Sequence, residues 1–318
     1  TAKTSRRSIM TSDWTINGVS IVIPTYKRPQ DVIRALQSVE PQALEHPLCE
    51  IIIVDNDPKH SAKMVVEAYI AASQAQITFI HEPNPGVSNA RNTALAHTKG
   101  RYIAFLDDDM EALSGWLSAM LEASIDFSAG LVFGPVTAVM PDDGNPVYPF
   151  MSAAFDRIPY KENGYIGSGV ATGGCLVDRH SADFPAPAFD PIYNQSGGED
   201  DAFFHYLMHR GVKAYWTNEA KCLEHVPTKR ATTSYVWLRN FAFGQSPTQE
   251  SFDKGLKGFP HVLLWMAVGG GQSLLSLPGL IFHSLTGSPK RIRSLVKLAQ
   301  GMGKIFWIKA FSPKLYGN

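Results

Sequence analysis

The chain predicts an α/β fold: a doubly wound, mostly parallel sheet flanked by helices, followed by a helical C-terminal appendage suited to a membrane surface. Three observations predict it. From Val19 onward, short and nearly continuous apolar runs alternate with segments of helical period, and strands apolar on both faces belong to sheets covered by helices on both sides. Polar residues end those runs, at the carboxyl edge where such sheets gather their ligands. After about Arg230 the alternation stops, and an uncharged stretch from Val262 to Phe282 takes its place.

The elements follow in order. VSIVIP, starting at Val19, reads as the first strand, and helical period runs from Gln30 to Val39. EIIIVD is the second strand, followed by a helix over Ala62 to Ala72; ITFIH is the third, followed by a helix from about Gly86 to His97. YIAFLD is the fourth and ends at Asp107. LVFGPVTAV is expected as a single strand, with a turn over Pro141 to Pro146. The glycines of GSGVATGGCLV suit either a close backbone approach to a ligand or a bulged strand. After GGED a helix is expected over about Asp201 to Arg210, with Phe203, Phe204, Leu207 and Met208 as its apolar stripe and Gly211 as its stop. The expected organisation is a loose tail over 1–18, an α/β domain over 19–230 and a helical region over 231–318. In the tail, Lys3, Arg6 and Arg7 are not followed by an apolar run, so it does not read as a signal peptide.

Composition narrows the function. Lys plus Arg number 29 and Asp plus Glu number 29, so no global field selects nucleic acid as a partner. Cys49, Cys175 and Cys222 are odd in number and in no C-x-x-C spacing, which argues against a disulfide framework and a zinc-thiolate site and suits a reducing compartment. Val262 to Phe282 reaches the length of about twenty residues that a bilayer span needs, yet Gly269 to Gly271, Gln272, Ser273, Ser276 and Pro278 dilute it. Lys290, Arg291, Arg293 and Lys297 follow it. The favoured reading is a helical hairpin lying in the interface, held by that basic cluster against anionic lipid; a true span and a buried helical pair are the alternatives.

Several constellations carry chemistry. Asp107, Asp108 and Asp109 stand where an apolar strand ends, and adjacent carboxylates raise one another's pKa unless a cation sits among them. A hard divalent ion completed by phosphate oxygens satisfies that need; a solvated acidic turn is the plainer reading. Thr25 and Tyr26 end the first strand on the same rim. Asp55 and Asn56 end the second, able either to accept from an imide or ribose hydroxyl or to form an Asx turn. In NPGVSNARN a helix start carries Ser88, Asn89, Arg91 and Asn92, a setting that favours phosphate or is an ordinary capped helix. Glu199 and Asp200 in GGED suit a helix cap or a general base on a glycine loop. His225 in LEHVP offers an imidazole to a metal or is structural. His205 and His209 lie four apart without an HExxH motif and are expected to face solvent.

Taken in order, VSIVIPTYKR, IIIVDN, NPGVSNARN, YIAFLDDD, GGED and EHVP resemble the motif series of family 2 inverting glycosyltransferases of the GT-A fold, over about Val19 to Arg230. The resemblance implies a nucleotide-sugar donor, a UDP-sugar if Asp55 reads uracil, and Mn²⁺ or Mg²⁺ as cofactor. By the same likeness Pro24, Thr25, Arg28 and Asp55 surround the base and ribose, with Tyr26 and Asn56 on their rim. Arg91 lies near the diphosphate or shapes the pocket, and Asp107, with Asp108 beside it, meets the ribose. Asp109 is the principal metal ligand, joined by Asp107 and His225. Of Glu199 and Asp200, the second matches the base. This sequence departs from the pattern at Asp57, where D-D-G-S is commoner after the second strand, and at Met110, where a further Asp often follows. WLRN stands near where processive synthases carry Q-x-x-R-W, which implies transfer of a single sugar. The implied acceptor is a glycan or lipid-linked oligosaccharide at the cytoplasmic membrane surface. Two rivals are a sugar nucleotidyltransferase, which needs a glycine-rich loop where PTYKRPQ has no glycine, and a non-catalytic binding subunit of the same fold.

Overall fold

Four strands make one half of the main sheet: β1 (Val19–Thr25), β2 (Cys49–Asp55), β3 (Gln76–His81) and β4 (Tyr102–Phe105). The computed structural model describes residues 17–194 and 197–313, so the expected tail lies outside the described residues apart from Asn17 and Gly18. The four strands are parallel, with Ile21 of β1 opposite Ile51 of β2 on one side and Ala104 of β4 on the other. Between β1 and β2 runs α1 (Pro29–Glu45), then α2 (Lys63–Ala72) leads to β3 and α3 (Val87–His97) to β4.

The two-residue period of a strand explains the unbroken apolar runs. Ile21, Ile23, Ile51 and Ile53 pack with Val32, Leu36 and Val39 of α1 and Val66 of α2 in one core. Val22, Ile52, Val54 and Phe105 turn to the other face and pack with Ala90 and Ala94 of α3 in a second core. Chain order places β4 beside β1 and opposite β2, which is the switch point where an open α/β sheet opens a crevice at its strand ends.

Beyond β4 come β5 (Met110–Ala112), α4 (Trp116–Asp126), β6 (Leu131–Phe133), β7 (Val136–Val139), α5 (Tyr148–Met151), β8 (Gly164–Ile166) and β9 (Cys175–Asp178). Then follow α6 (Glu199–His209), β10 (Ala214–Trp216) and β11 (Cys222–His225). The main sheet runs β3-β2-β1-β4-β9-β6-β10-β8, with β9 antiparallel to both β4 and β6. β5 pairs antiparallel with β11, Met110 opposite Glu224.

Three elements differ from the sequence expectation. Helix α1 continues past Val39 and through Pro41 to Glu45. LVFGPVTAV is two strands, because Pro135 has no amide to donate and Gly134 is pressed so close to the Ala220 carbonyl that a Cβ would stand 2.0 Å from it. GSGVATGG is loop rather than bulged strand, and pairing starts only at Cys175. Helix α6 buries Phe203, Phe204 and Leu207, with Met208 half-buried, and Gly211 stops it with φ at +86°.

The chain forms two units. The first comprises residues up to Thr137 with Arg157–Glu224, and the second Ala138–Asp156 with the residues from His225 onward. In the second unit α5 is joined by α7 (Thr233–Asp253), α8 (Phe259–Leu285) and α9 (Arg291–Ile305), around a small core of Tyr148, Met151, Phe155, Val226, Val236 and Ile292. Thr232 caps α7, its hydroxyl accepting from the Tyr235 amide at 3.2 Å. Helix α8 is continuous across Gly269 to Gly271 and Pro278, so no turn forms there; the chain reverses at Thr286 to Lys290 and α9 packs back along α8. Within its own unit α8 is not a buried helix: Leu275 and Leu285 are 85% and 83% exposed.

Candidate active site

The ends of β1 and β4 bring the first charged groups together. Thr25 Oγ1 donates to Asp108 at 2.8 Å and the Tyr26 amide donates to the same oxygen at 3.3 Å. Arg28 Nη1 bridges Asp108 at 2.7 Å and Asp109 at 2.6 Å. Asp108 therefore ties the β1 exit to the acidic motif. Thr25, only 2% exposed, belongs to the same tie. Pro24 is half-buried beneath them, and Tyr26 is exposed on the rim.

A second constellation forms on Arg91. Its Nη1 donates to Glu199 at 2.5 Å and its Nη2 to Asp107 at 3.4 Å, joining the start of α6 to the end of β4. Burial opposes the Arg91 charge, but Asp107, Glu199 and Asp200 hold its pKa above the usual value. The Arg91 side chain is buried, so it links the two elements from within. Glu199 is buried too; burial pushes its carboxyl up against the pull of Arg91. Asp200, the next residue, is more open. Of the two, Asp200 is the more accessible, and Glu199 is the one paired with Arg91.

A third cation completes the set. Arg157 Nη1 donates to Glu224 at 2.8 Å and feels the charges of Asp107 and Asp109. Six carboxylates (Asp107, Asp108, Asp109, Glu199, Asp200 and Glu224) thus share one neighbourhood with three guanidiniums. The excess is negative, and it shows: burial, then the Asp108 charge, pushes Asp109 up to about 7. Burial also raises Asp108, against the pull of Arg28.

These donors fit a hard divalent ion. Among the described residues no group of three His, Cys, Asp or Glu side chains is placed to hold a metal by itself, but Mg²⁺ and Mn²⁺ in phosphate-handling sites need only one or two carboxylates, with phosphate oxygens supplying the rest. Asp107, its side chain 32% exposed, and Asp109, paired with Arg28 at 2.6 Å, are the carboxylates that the acidic motif offers for such a role. Gly173 keeps the space: a Cβ there would stand 2.2 Å from Asp107 Oδ2, and the Gly174 amide, donating to the Phe105 carbonyl at 2.9 Å, fixes the loop against β4. His225 is the last residue of β11 and belongs to the second unit, so its candidacy as a ligand rests on the motif resemblance.

Other expected residues carry structural hydrogen bonds. Asp55 is fully buried, its two oxygens accepting from the amides of Asp57 and Ala62, each at 3.0 Å; it forms the turn. Asn56 donates to the carbonyls of Glu82 and Asn84 and accepts from the Gly86 amide, which uses up its amide as a bracket for the loop. At the start of α3 the Ser88 amide donates to Asn194 at 2.9 Å, so a side chain holds the place where a phosphate was expected. His205 and His209 are exposed, as expected, their rings 4.2 Å apart. Sequence reasoning missed Arg157, Glu224 and the role of Gly173; only the last left a signal, the paired glycines of TGG.

Comparison with known proteins agrees with this architecture. The sequence profile of Glycosyl transferase family 2 matches residues 20–183. The succinoglycan biosynthesis protein ExoM of Rhizobium meliloti is 31% identical over 72% of this chain and 73% of its own length. The putative teichuronic acid biosynthesis glycosyltransferase TuaG of Bacillus subtilis is 31% identical over 69% of this chain and 82% of its own. Among solved structures, the mannosyltransferase PcManGT from Pyrobaculum calidifontis, in complex with GDP-Man and Mn²⁺, superposes with a TM-score of 0.57 at 18% identity, covering 93% of this chain and 89% of that one. At that identity the likeness speaks for the fold, which is the expected GT-A arrangement.

Proposed function

Because this chain belongs to glycosyl transferase family 2, we propose that it moves a single sugar, with inversion, from a nucleotide-sugar donor to a hydroxyl of a glycan or lipid-linked oligosaccharide in polysaccharide biosynthesis. One observation carries the reading: Arg91 joins Glu199 to Asp107, so the base motif and the acidic motif, 92 residues apart in sequence from Asp107 to Glu199, meet in one ion-pair network.

In this reading Asp200 takes the proton of the acceptor hydroxyl as its oxygen attacks the anomeric carbon. The bond from that carbon to the diphosphate oxygen breaks, and its electron pair leaves with the nucleoside diphosphate. A single displacement inverts the centre. Asp107 and Asp109 would hold Mn²⁺ or Mg²⁺. When bound, the ion supplies positive charge for the departing diphosphate. Arg28, which now neutralises Asp109, is the counter-charge the ion would replace. Glu199 and Arg91 hold the cleft in shape, and Gly173 leaves room for the Asp107 carboxylate.

The donor base is open to a direct test: Asp55 accepts one backbone amide on each oxygen, and a carboxylate keeps further lone pairs with which it could meet uracil. In a thermal-shift panel of UDP- and GDP-sugars, one donor should raise Tm only with manganese present, and that donor should be slowly hydrolysed without acceptor. If no nucleotide sugar stabilises the protein, the reading fails. A donor that binds and stays intact even with acceptors present would favour the non-catalytic subunit instead. The proposed place of action is the inner face of the cytoplasmic membrane, where nucleotide sugars are at hand and the buried thiols of Cys49, Cys175 and Cys222 would stay reduced.

A further inference from the structure

Helix α8 is packed inside out. Its buried positions are Val262, Gly269, Ser273 and Ser276, mostly small or polar, on one helical stripe. They meet other small residues: a Cβ on Gly301 of α9 would stand 2.5 Å from Ser273 Oγ, and one on Gly269 2.6 Å from the Gly301 carbonyl. Polar side chains also cross this seam: Gln272 Nε2 donates to the Lys297 carbonyl at 2.9 Å and Lys304 Nζ donates to Gln272 Oε1 at 3.1 Å. On its other side α9 is tied to α7, Gln300 Nε2 donating to Asn240 Oδ1 at 2.9 Å. The large apolar side chains point the other way: Leu264 is 57% exposed, Leu274 69%, Leu275 85% and Phe282 63%.

In water this packing forgoes about 1.5–3 kcal/mol for each Leu or Phe left outside. In lipid it is the expected one, because helices there associate through small and polar residues and turn their apolar side chains to the acyl chains. Charge points to the same solvent. After Asp253 the sequence contains nine Lys or Arg and no Asp or Glu, although the whole chain is balanced. Lys257 stands before α8, and Lys290, Arg291, Arg293 and Lys297 follow it, all exposed.

We propose that α8 lies in the plane of an anionic bilayer, its Leu/Phe face sunk to the acyl boundary and the flanking basic residues at the headgroups. An in-plane position follows from its neighbours. α7 and α9 pack along α8 and carry Glu250, Asp253, Arg291, Arg293 and Lys297; a transmembrane α8 would draw these charges into hydrocarbon, at about 2.5–3.5 kcal/mol each on insertion scales. The proposal rests on the second unit alone and stands apart from the glycosyl-transfer reading.

The test is flotation of the full chain with vesicles of phosphatidylcholine containing about one part in three of phosphatidylglycerol, against phosphatidylcholine alone. The wild type should float with the anionic vesicles and partition on the order of tenfold more weakly onto neutral ones. The triple variant Leu264→Glu, Leu275→Glu, Phe282→Glu should stay behind with its thermal unfolding unchanged, and Lys290→Glu with Arg293→Glu should cut anionic binding by on the order of tenfold or more. A wild type that ignores anionic vesicles, or a triple variant that floats equally well, overturns the proposal. So does a wild-type dimer in sedimentation that the triple variant turns into a monomer without any vesicle binding, which would give the face to a second copy. To test the in-plane position, Lys257→Cys and Thr286→Cys are treated with an impermeant maleimide on sealed inverted membrane vesicles, the three native thiols being buried. Labelling at both ends is predicted; protection at one end would show a span.

Discussion

Strand β2 and helix α8 are both apolar runs, yet they treat their side chains in opposite ways. Every residue of β2, Cys49 to Asp55, is buried, and the polar groups of its unit are gathered at the strand ends, where six carboxylates and three guanidiniums meet. In α8 the small and polar residues are inside, and the leucines and phenylalanines are outside. Hydrophobic content alone is the same signal in both. What separates them is where the polar groups go: in the sheet unit they are displaced to a rim that water or a charged ligand must serve, whereas in the helical unit they are tied to one another across a seam, leaving an outer face that water serves poorly.

Substitutions can break or sharpen that contrast. The largest effect is expected at the rim: Asp200→Asn should lower turnover by about 10²–10⁴-fold, the usual contribution of a general base, with donor affinity unchanged in equilibrium binding. Wild-type turnover would remove Asp200 from the chemistry. Next comes the sheet core, where Leu36→Ala, at a fully buried position of α1, should cost about 2–5 kcal/mol in denaturant unfolding. Gly173→Ala should fall between core and rim in character. The added methyl meets the mobile end of Asp107, so the fold should survive while kcat/KM drops by about 10²-fold through misplacement of that carboxylate; an unchanged rate would mean that Asp107 has no fixed place in the reaction. The smallest effect belongs to α8: Leu275→Ala should change stability in water by no more than about 0.5 kcal/mol. A loss there as large as that of Leu36→Ala would show that the outer face of α8 is covered by protein after all.

Much of the sheet unit was legible because its strands are apolar on both faces and its helices are short and periodic. VSIVIP, EIIIVD and ITFIH became β1, β2 and β3 at nearly the expected bounds. LVFGPVTAV failed because the approach of Gly134 to the Ala220 carbonyl is a long-range contact that no local period records. At the site, the ordered motifs named Asp107, Asp109, Arg91, Glu199 and Asp200, which the fold brings into one charged neighbourhood, but not which of them face inward. Asp55, Asn56 and Asp108 are polar residues at strand ends, as ligand-binding groups are, and only their hydrogen bonds show that they hold loops together. Arg157 stands in irregular sequence, and Glu224, though it opens the EHVP motif, has no expected role there; nothing local marks the two as partners. For α8, length and composition were legible, but the direction of its apolar face depended on the glycines of α9, thirty residues further on.

Calorimetry of nucleoside diphosphate binding, with and without manganese, in the wild type and in Asp109→Ala, tests most directly whether the converging carboxylates serve a cation that grips a diphosphate. Binding that needs manganese in the wild type and is lost in Asp109→Ala is the predicted result. Equal binding with and without the metal, or unchanged binding in the variant, would contradict it.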